Sequence, residues 1–197
     1  MHNIAKTFFP ILLLLFAAVV TAQNGKNNVG NAQRIWLGSE IGHQGDYQWK
    51  MIKAGDATDP GEKISLSNYA TANWMPAIVP GTVLNSLVYN QKYPEPYYGI
   101  NNKIESKLIP DISETGRDFY TYWFRTDFTV PQSFKGKTVW LQLDGINYRA
   151  EVWVNGNLLS TMNGMFIQDY IDVTDFVKIG GKNGLAINCL LYTSPSP

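Results

Sequence analysis

The side chains best suited to acid–base chemistry in this sequence are carboxylates. Hydrolysis of a glycosidic bond uses a pair of them, held roughly 5 to 9 Å apart across the scissile bond. Carboxylates are spread along the chain, and they include Glu62, Glu95, Glu105, Asp111, Glu114, Asp118, Asp144, Glu151, Asp169, Asp172 and Asp175. No sequence context singles out a pair, so each is predicted to be a solvated surface residue.

Residues for nucleophilic catalysis or metal binding are scarce. The two histidines are His2 and His43, and the sequence has no CxxC, no HExxH and no Gly-rich phosphate loop. His43 lies in a Gly-rich loop segment, which favours a solvated residue over a general base. Leu185, Ile187 and Cys189 are two residues apart on a predicted strand, so their side chains fall on the same face. Cys189 is therefore predicted to pack in the core. No metal and no cofactor is expected.

The composition of the chain limits the class of protein. Its 197 residues include 16 basic and 16 acidic ones, so it lacks the basic surface that nucleic-acid binding requires. A content of 45% hydrophobic and 13% aromatic residues is too high for a disordered chain. The single cysteine excludes an intramolecular disulfide bond. The length fits one domain plus a short extra segment.

Residues 1–22 are typical of a secretory signal peptide. Lys6 precedes an apolar run that ends near Val20, and small residues lead to Ala22, after which cleavage is predicted. The apolar run is shorter than the ~20 residues of a membrane span, although a membrane anchor or a buried helix is the alternative. We therefore expect export, periplasmic or secreted, with no membrane attachment after cleavage. Residues 23–32 are predicted to form a flexible lead-in.

Strand patterns dominate the rest of the chain. Residues 139–143 and 150–154 alternate between apolar and other positions, which is typical of half-buried strands. Asn155-Gly156 follows the second of these strands and predicts a type I′ hairpin turn. Further strands are predicted at residues 49–52, 74–79, 120–130, 170–173 and 185–191. Together they predict an all-β fold, a β-sandwich.

Three other features qualify this all-β pattern. One short helix is predicted over residues 83–90, with Thr82 as its N-cap. Residues 93–110 form a long, aromatic, proline-containing loop of the kind that is usually functional or docked on something. Trp140 and Trp153 fall on the outward parity of their strands. Either loops or the N-terminal segment cover them, or they mark a contact with something outside this chain.

Several segments, taken in order, resemble glycoside hydrolase family 2. They read WMPAIVPGTVL at 74–84, PYYGIN at 96–101, YWFR at 122–125, DGINYRAEVWVNG at 144–156, GMF at 164–166 and IDVT at 171–174. The resemblance covers about residues 33–190, nearly all of the chain after the signal peptide. Two of its pieces lean toward the exo-β-glucosaminidase and β-mannosidase members of the family.

The resemblance implies that residues 33–190 form a jelly-roll, sugar-binding N-terminal domain. In the family this domain packs against an immunoglobulin-like domain and a (β/α)₈ barrel that carries both catalytic glutamates. These partner domains are not in this chain, so it is expected to contain no catalytic residue and to be inactive alone. Residues 191–197 depart from the family pattern and are interpreted as a truncated or non-native tail, with a natural Ser/Pro linker as the alternative.

Two residues are carried over from the family as candidate sugar contacts. Asp172, at the end of the IDVT segment, is predicted to bind substrate, and a turn or cap role is its alternative. Asn101, at the end of the PYYGIN segment, is predicted to do the same, and a loop-turn role is its alternative. A carboxylate suits a sugar hydroxyl or amino group because charge-assisted hydrogen bonds are roughly twice as strong as neutral ones.

The resemblance predicts a fragment of an exported glycosidase that hydrolyses β-glucosaminides or β-mannosides in carbohydrate metabolism. A stand-alone carbohydrate-binding module is the alternative, because sugars stack on exposed aromatic faces and the chain is rich in aromatic residues. A purely structural docking domain is a third, weaker hypothesis.

Overall fold

A computed structural model describes residues 18–23, 33–43, 45–111, 115–164 and 167–190. These residues form two sheets in which all neighbouring strands are antiparallel. The four-stranded sheet has, in spatial order, the strands β2 (Gln33–Trp36), β1 (Ala18–Gln23), β6 (Thr138–Leu143) and β9 (Asp169–Asp172). The six-stranded sheet has β4 (Met75–Pro76), β3 (Lys50–Lys53), β5 (Tyr122–Thr129), β10 (Lys182–Leu190), β7 (Arg149–Val154) and β8 (Asn157–Asn163). The prediction of a sheet-rich β-sandwich is confirmed.

The main core lies between the two sheets, where alternating strands place their apolar faces. On β6, Val139, Leu141 and Leu143 are at most 1% exposed, while the residues between them are partly exposed. On β7, Val152 and Val154 are fully buried in the same cluster. The predicted alternation of residues 139–143 and 150–154 is therefore confirmed, because burying one face of each strand removes its apolar side chains from water.

The predicted hairpin joins β7 to β8 at Asn155-Gly156. Both residues have positive φ, 48° and 90°, as a type I′ turn requires. Glycine adopts this left-handed conformation at low cost because it has no Cβ atom, and asparagine tolerates it because its short polar side chain can hydrogen-bond locally.

The helix α2 (Val83–Tyr89) begins where it was predicted. Thr82 has an extended backbone, and its Oγ1 accepts a 2.8 Å hydrogen bond from the amide of Asn85. The hydroxyl thereby satisfies one of the free donors of the first turn. The hydroxyl of Ser86, within the helix, accepts from the amide of Ile78 and ties the helix to the preceding segment.

The predicted strand at residues 74–79 is much shorter than expected. Only Met75–Pro76 pair, with β3, and the chain then leaves the sheet. The amide of Val79 instead donates to Ser39 Oγ at 2.9 Å, and its carbonyl accepts from the amide of Ser39. Pro80, which has no amide hydrogen, follows directly and cannot extend a ladder.

The strand β1 was not expected, because it lies across the predicted cleavage site. It pairs with β6 in a register that runs from Ala18 opposite Leu143 to Gln23 opposite Thr138. It also pairs with β2. A chain cleaved after Ala22 would lack nearly all of this strand. The remaining residues of the predicted signal peptide, the lead-in from residue 24 to 32 and the tail 191–197 lie outside the described residues.

A second, smaller cluster covers the outer face of the six-stranded sheet. Its members are Ile64, Trp74, Trp123 and Ala186, with Trp153 and Tyr69 packed against them. The short helix α1 (Gly61–Ile64), which the sequence analysis did not predict, contributes Ile64. A side chain in place of hydrogen at Gly61 would collide with the ring of Trp153. The helix α1 and its loop therefore pack over Trp153, in line with the interpretation that other parts of the chain cover it.

Trp140 and Trp153 do not share a surface. Trp140 belongs to the four-stranded sheet and Trp153 to the six-stranded sheet, so they point away from the core on opposite sides of the sandwich.

Within the described residues, no helix has the length and apolar character needed to cross a membrane.

Candidate functional site

Asp172 lies at the end of β9, which is an edge strand of the four-stranded sheet. Its Oδ1 accepts hydrogen bonds from the amide of Thr174 at 3.0 Å and from Thr174 Oγ1 at 2.6 Å. The same Thr174 hydroxyl accepts from the amide of Val139 at 2.9 Å. One carboxylate oxygen therefore holds the turn that follows β9. The residue is exposed, and no hydrogen bond to Oδ2 is found within the described residues.

Asn101 lies in the long loop that follows α2. Its Nδ2 donates to the carbonyl of Glu95 at 2.8 Å, and its own carbonyl accepts from Ser106 Oγ at 3.2 Å. These bonds close the loop on itself on both sides of Asn101. The loop also exposes large apolar side chains, with Tyr97 91% and Tyr98 77% exposed.

The two candidate sugar contacts occupy different parts of the domain. Asp172 is on a sheet edge and Asn101 is in a loop, and no hydrogen bond joins them in the part of the chain that the structure describes. Each uses part of its side chain locally, so each has a structural role besides any contact with a ligand. Asp172 retains its outward oxygen for such a contact.

The outer face of the four-stranded sheet surrounds Asp172 with aromatic and polar side chains. Trp140 is directly opposite Asp172 in the β6–β9 ladder, and Gln142 is directly opposite Tyr170. Tyr170 is 54% exposed and Trp140 is partly exposed. The outward position of Trp140 was predicted from the sequence and that of Tyr170 was not, although the alternation of Asp169–Asp172 places Tyr170 and Asp172 on one face.

One carboxylate, Asp144, extends this face beyond the end of β6. Gln142 Nε2 donates to Asp144 Oδ1 at 2.6 Å, and Gln168 Nε2 lies 3.4 Å from the same oxygen. Asp169, which starts β9, lies on the opposite face of the strand, where it accepts from Ser160 Oγ of the other sheet at 2.9 Å. Asp144 is thus held in place by two amide side chains at one end of the face, and Asp172 lies toward the other end.

Arg125 is the most deeply buried charged side chain of the six-stranded sheet, at 4% exposed. Its Nε donates to the carbonyl of Ile64, and its Nη2 donates to the carbonyl of Leu66 and to Asp127 Oδ1, the last at 2.6 Å. The Tyr69 ring lies 5.9 Å from the guanidinium carbon. Arg125, from the YWFR segment, is therefore a structural residue that fastens the α1 loop to β5.

Cys189 and Tyr120 have perturbed pKa values but no catalytic setting. Burial raises the pKa of the Cys189 thiol to about 12, and the thiol lies 3.5 Å from the carbonyl of Asn147. Burial raises the pKa of Tyr120 to about 12 as well, and its hydroxyl donates to the carbonyl of Pro110. Cys189 packs against the main core, as predicted. A protonated, partly buried thiol is a poor nucleophile.

Metal binding finds no support in the described ranges. They contain no group of three or more His, Cys, Asp or Glu side chains that could hold an ion. The side chain of His43 lies outside what the structure describes.

Taken together, the paired antiparallel sheets with few helices define a galactose-binding-like domain. A profile described as "Glycosyl hydrolase 2 galactose-binding domain-like" matches residues 49–192. The chain belongs to this family, and it corresponds to the N-terminal domain of glycoside hydrolase family 2 enzymes.

Known relatives of the chain are larger glycosidases. A mannosylglycoprotein endo-beta-mannosidase of Lilium longiflorum is 43% identical over 117 residues, which are 59% of this chain and 12% of that protein. An exo-beta-D-glucosaminidase of Amycolatopsis orientalis is 24% identical over 184 residues, which are 89% of this chain and 17% of that protein. The chain therefore spans less than a fifth of the length of these curated relatives.

Solved structures agree on the fold. The crystal structure of Amycolatopsis orientalis exo-chitosanase CsxA matches with a TM-score of 0.61 and 26% sequence identity, and the match covers 76% of this chain and 16% of that chain. The resemblance to glycoside hydrolase family 2 that the sequence segments indicated is confirmed.

Proposed function

We propose that this chain is the non-catalytic N-terminal domain of an exported family 2 glycoside hydrolase acting on β-glucosaminides or β-mannosides. The observation that carries the proposal is the family match over residues 49–192, with relatives named as an endo-beta-mannosidase and an exo-beta-D-glucosaminidase. The sandwich is assigned the jelly-roll topology of that domain. Its partners are the carbohydrate substrate and the immunoglobulin-like and barrel domains of a longer polypeptide.

The hydrogen bonds of two carboxylates in the described residues are consistent with a non-catalytic domain. Retaining glycosidases need two carboxyl groups about 5 Å apart across the substrate. The carboxylates for which the described residues show hydrogen bonds are engaged in local structure: Asp59 with Lys63 and Tyr69, Asp127 with Arg125. The lysine and tyrosine hydrogen bonds lower the pKa of Asp59, which is opposite to what a general acid at neutral pH requires.

Asp172 and Asn101 are the residues proposed to reach the substrate bound at the barrel. Asp172 is exposed and uses one oxygen in the turn to Thr174, which leaves the other oxygen for a sugar hydroxyl or amino group. Asn101 uses Nδ2 within its loop, which leaves its side-chain oxygen as an acceptor.

The test of the function is expression of the gene with its downstream sequence, followed by assay on chromogenic β-glucosaminide and β-mannoside. Hydrolysis of one of them is expected, together with two glutamates at the ends of barrel strands in the downstream sequence. Hydrolysis of neither substrate would overturn the proposed function.

The test of the two residues compares variants of that longer enzyme. Asp172→Asn keeps the acceptor of the turn but removes the charge, and we expect KM to rise about tenfold because a charge-assisted hydrogen bond is lost. The exposed Asp175 lies in the following turn, so Asp175→Asn is the matched control. Asn101→Ala is paired with Asn102→Ala in the same way. If Asp172→Asn has the same KM as Asp175→Asn, Asp172 does not contact the substrate. If Asn101→Ala has the same KM as Asn102→Ala, Asn101 does not contact it either.

A further inference from the structure

We propose that the outer face of the β6–β9 pair is itself a binding site for a cationic oligosaccharide of β-linked glucosamine. The site has six residues. On β6 and just after it are Trp140, Gln142 and Asp144, and on β9 and just before it are Gln168, Tyr170 and Asp172. Nothing in the family match assigns a ligand to this face. The choice of an amino sugar rests on the proposed function, whereas the face itself is argued from strand register, exposure and charge.

Strand register places the two aromatic side chains next to each other. Trp140 is opposite Asp172 and Gln142 is opposite Tyr170, and all four alternate with the buried residues of their strands. Trp140 and Tyr170 are therefore diagonal neighbours on one face, with Cα atoms about 7 to 8 Å apart. A diagonal aromatic pair on a sheet offers a broad π surface to a flat ligand.

The aromatic side chains of this outer face differ in their exposure to solvent. Tyr170 is 54% exposed, whereas Trp153, on the outside of the other sheet, is covered by α1 and its loop. Trp36 on β2, 39% exposed, belongs to the same outer face. The fold thus covers the outside of the six-stranded sheet with a second apolar cluster, whereas on the outside of the four-stranded sheet Tyr170 is more than half exposed and Trp140 is partly exposed. Exposed aromatic patches of this kind mark binding surfaces.

Charge selects a cationic ligand for this face. Asp172 lies beside Trp140, and Asp144 lies beyond Gln142, so a carboxylate flanks the aromatic pair at each end. The basic residue Arg34 is on the same face but two strands from Trp140, so the Cα atoms of the two residues are about 10 Å apart. An ammonium group near Asp172 or Asp144 gains a charge-assisted hydrogen bond and, over Trp140 or Tyr170, a cation–π contact.

The size of the face fits more than one sugar ring. Residues 140 to 144 span about 13 Å along the strand direction. The amide groups of Gln142 and Gln168 lie between the aromatic pair and Asp144, where they are available to sugar hydroxyls as well as to that carboxylate. The surface therefore combines stacking, neutral hydrogen bonding and negative charge over the length of an oligosaccharide.

The experiment titrates the purified 197-residue chain with a glucosamine tetramer, its fully N-acetylated counterpart and a mannose tetramer, using calorimetry or amide NMR. We expect the glucosamine tetramer to bind, to bind more weakly at high salt, and to bind better than the two neutral tetramers. Tyr170→Ala and Asp172→Asn are each expected to weaken binding about tenfold. Tyr89, 51% exposed on α2, provides Tyr89→Ala as the matched control, with affinity expected to stay within about twofold of the parent.

The outcomes separate this inference from the proposed function. No binding of the glucosamine tetramer, or equal affinities for Tyr170→Ala and Tyr89→Ala, overturns the inference even if the longer enzyme hydrolyses β-glucosaminides. Preference for the mannose tetramer overturns the choice of a cationic ligand. Binding that depends on Tyr170, together with a longer enzyme that cleaves neither substrate, supports the inference and overturns the proposed function.

Discussion

The side-chain amide of Asn155 donates a 2.7 Å hydrogen bond to the side-chain oxygen of Asn183, which is fully buried. Asn155 is the first residue of the β7–β8 turn, and Asn183 lies near the start of β10. Asn183 also bonds the amide and carbonyl of Lys178 and the carbonyl of Gly181. This pair of asparagines therefore joins a hairpin turn to the segment that leads into the central strand.

Replacing Asn183 tests the importance of this pair. We expect Asn183→Ala to lower the free energy of unfolding by about 3 kcal/mol, because the substitution leaves several polar partners without hydrogen bonds at a buried position. The measurement is urea denaturation followed by circular dichroism. Asn163→Ala is the control, since Asn163 is exposed on β8 of the same hairpin, and its effect should stay within about 0.5 kcal/mol. Equal losses for the two variants would contradict this role of Asn183.

Replacing Arg125 tests how the α1 loop is held on the sheet. Arg125→Ala removes the donors to the carbonyls of Ile64 and Leu66 and leaves Asp127 without its ion-pair partner. We expect a loss of about 3 kcal/mol in the free energy of unfolding, because two carbonyl oxygens lose their donor and the half-buried Asp127 loses its partner. Arg125→Lys should recover only part of it, since an ammonium cannot reproduce the guanidinium fork. A fully stable Arg125→Ala variant would argue against this role.

The pKa of Cys189 predicts how stability changes in alkaline solution. In the folded chain the thiol pKa is raised from 9.0 to about 12, so between these values the unfolded state releases its proton first. The free energy of unfolding therefore falls with rising pH above about pH 9, by up to about 1.4 kcal/mol per pH unit for this group. Tyr120 acts in the same direction above its ordinary pKa of 10.0.

The measurement is denaturation at a series of pH values for the parent chain and for Cys189→Ala. Stability of the variant should fall less steeply with pH between about 9 and 12. Identical slopes would show that the thiol ionises at the same pH in the folded and unfolded chains.

Processing of the N-terminus decides whether β1 is part of the exported protein. We expect the exported chain to begin at Gln23, because small residues at Val20 and Ala22 suit the signal peptidase. Intact-mass measurement of protein recovered outside the cytoplasm checks this. Ala22→Tyr should block the cleavage, and Gln23→Ala should not. An exported chain that retains Ala18–Gln23 would contradict cleavage and would make β1 a permanent strand of the sheet.

The features that the sequence predicted best are those that depend only on the conformation of a few residues adjacent in the chain. The alternation of residues 139–143 appears directly as buried Val139, Leu141 and Leu143, because the period of a strand is independent of its neighbours. The Asn155-Gly156 turn and the Thr82 cap are equally local, since each depends on the conformation of one or two residues.

The features that the sequence did not predict depend on contacts between distant segments. The helix α1 is one turn long, so it has no periodicity of its own, and it forms where Gly61 packs on Trp153. Trp140 and Trp153 both face outward on their strands, yet β6 and β7 belong to different sheets, which no local pattern indicates. Tyr170 was assigned to a strand, yet its place beside Trp140 depends on the β6–β9 register, which no local pattern fixes.

The most direct test of the account compares this chain with a polypeptide that includes the downstream domains, using the same chromogenic β-glucosaminide and β-mannoside. We expect the longer polypeptide to hydrolyse at least one of these substrates and the 197-residue chain to hydrolyse neither. Hydrolysis by the chain alone, at a rate per molecule comparable to that of the longer polypeptide, would contradict its assignment as a non-catalytic domain.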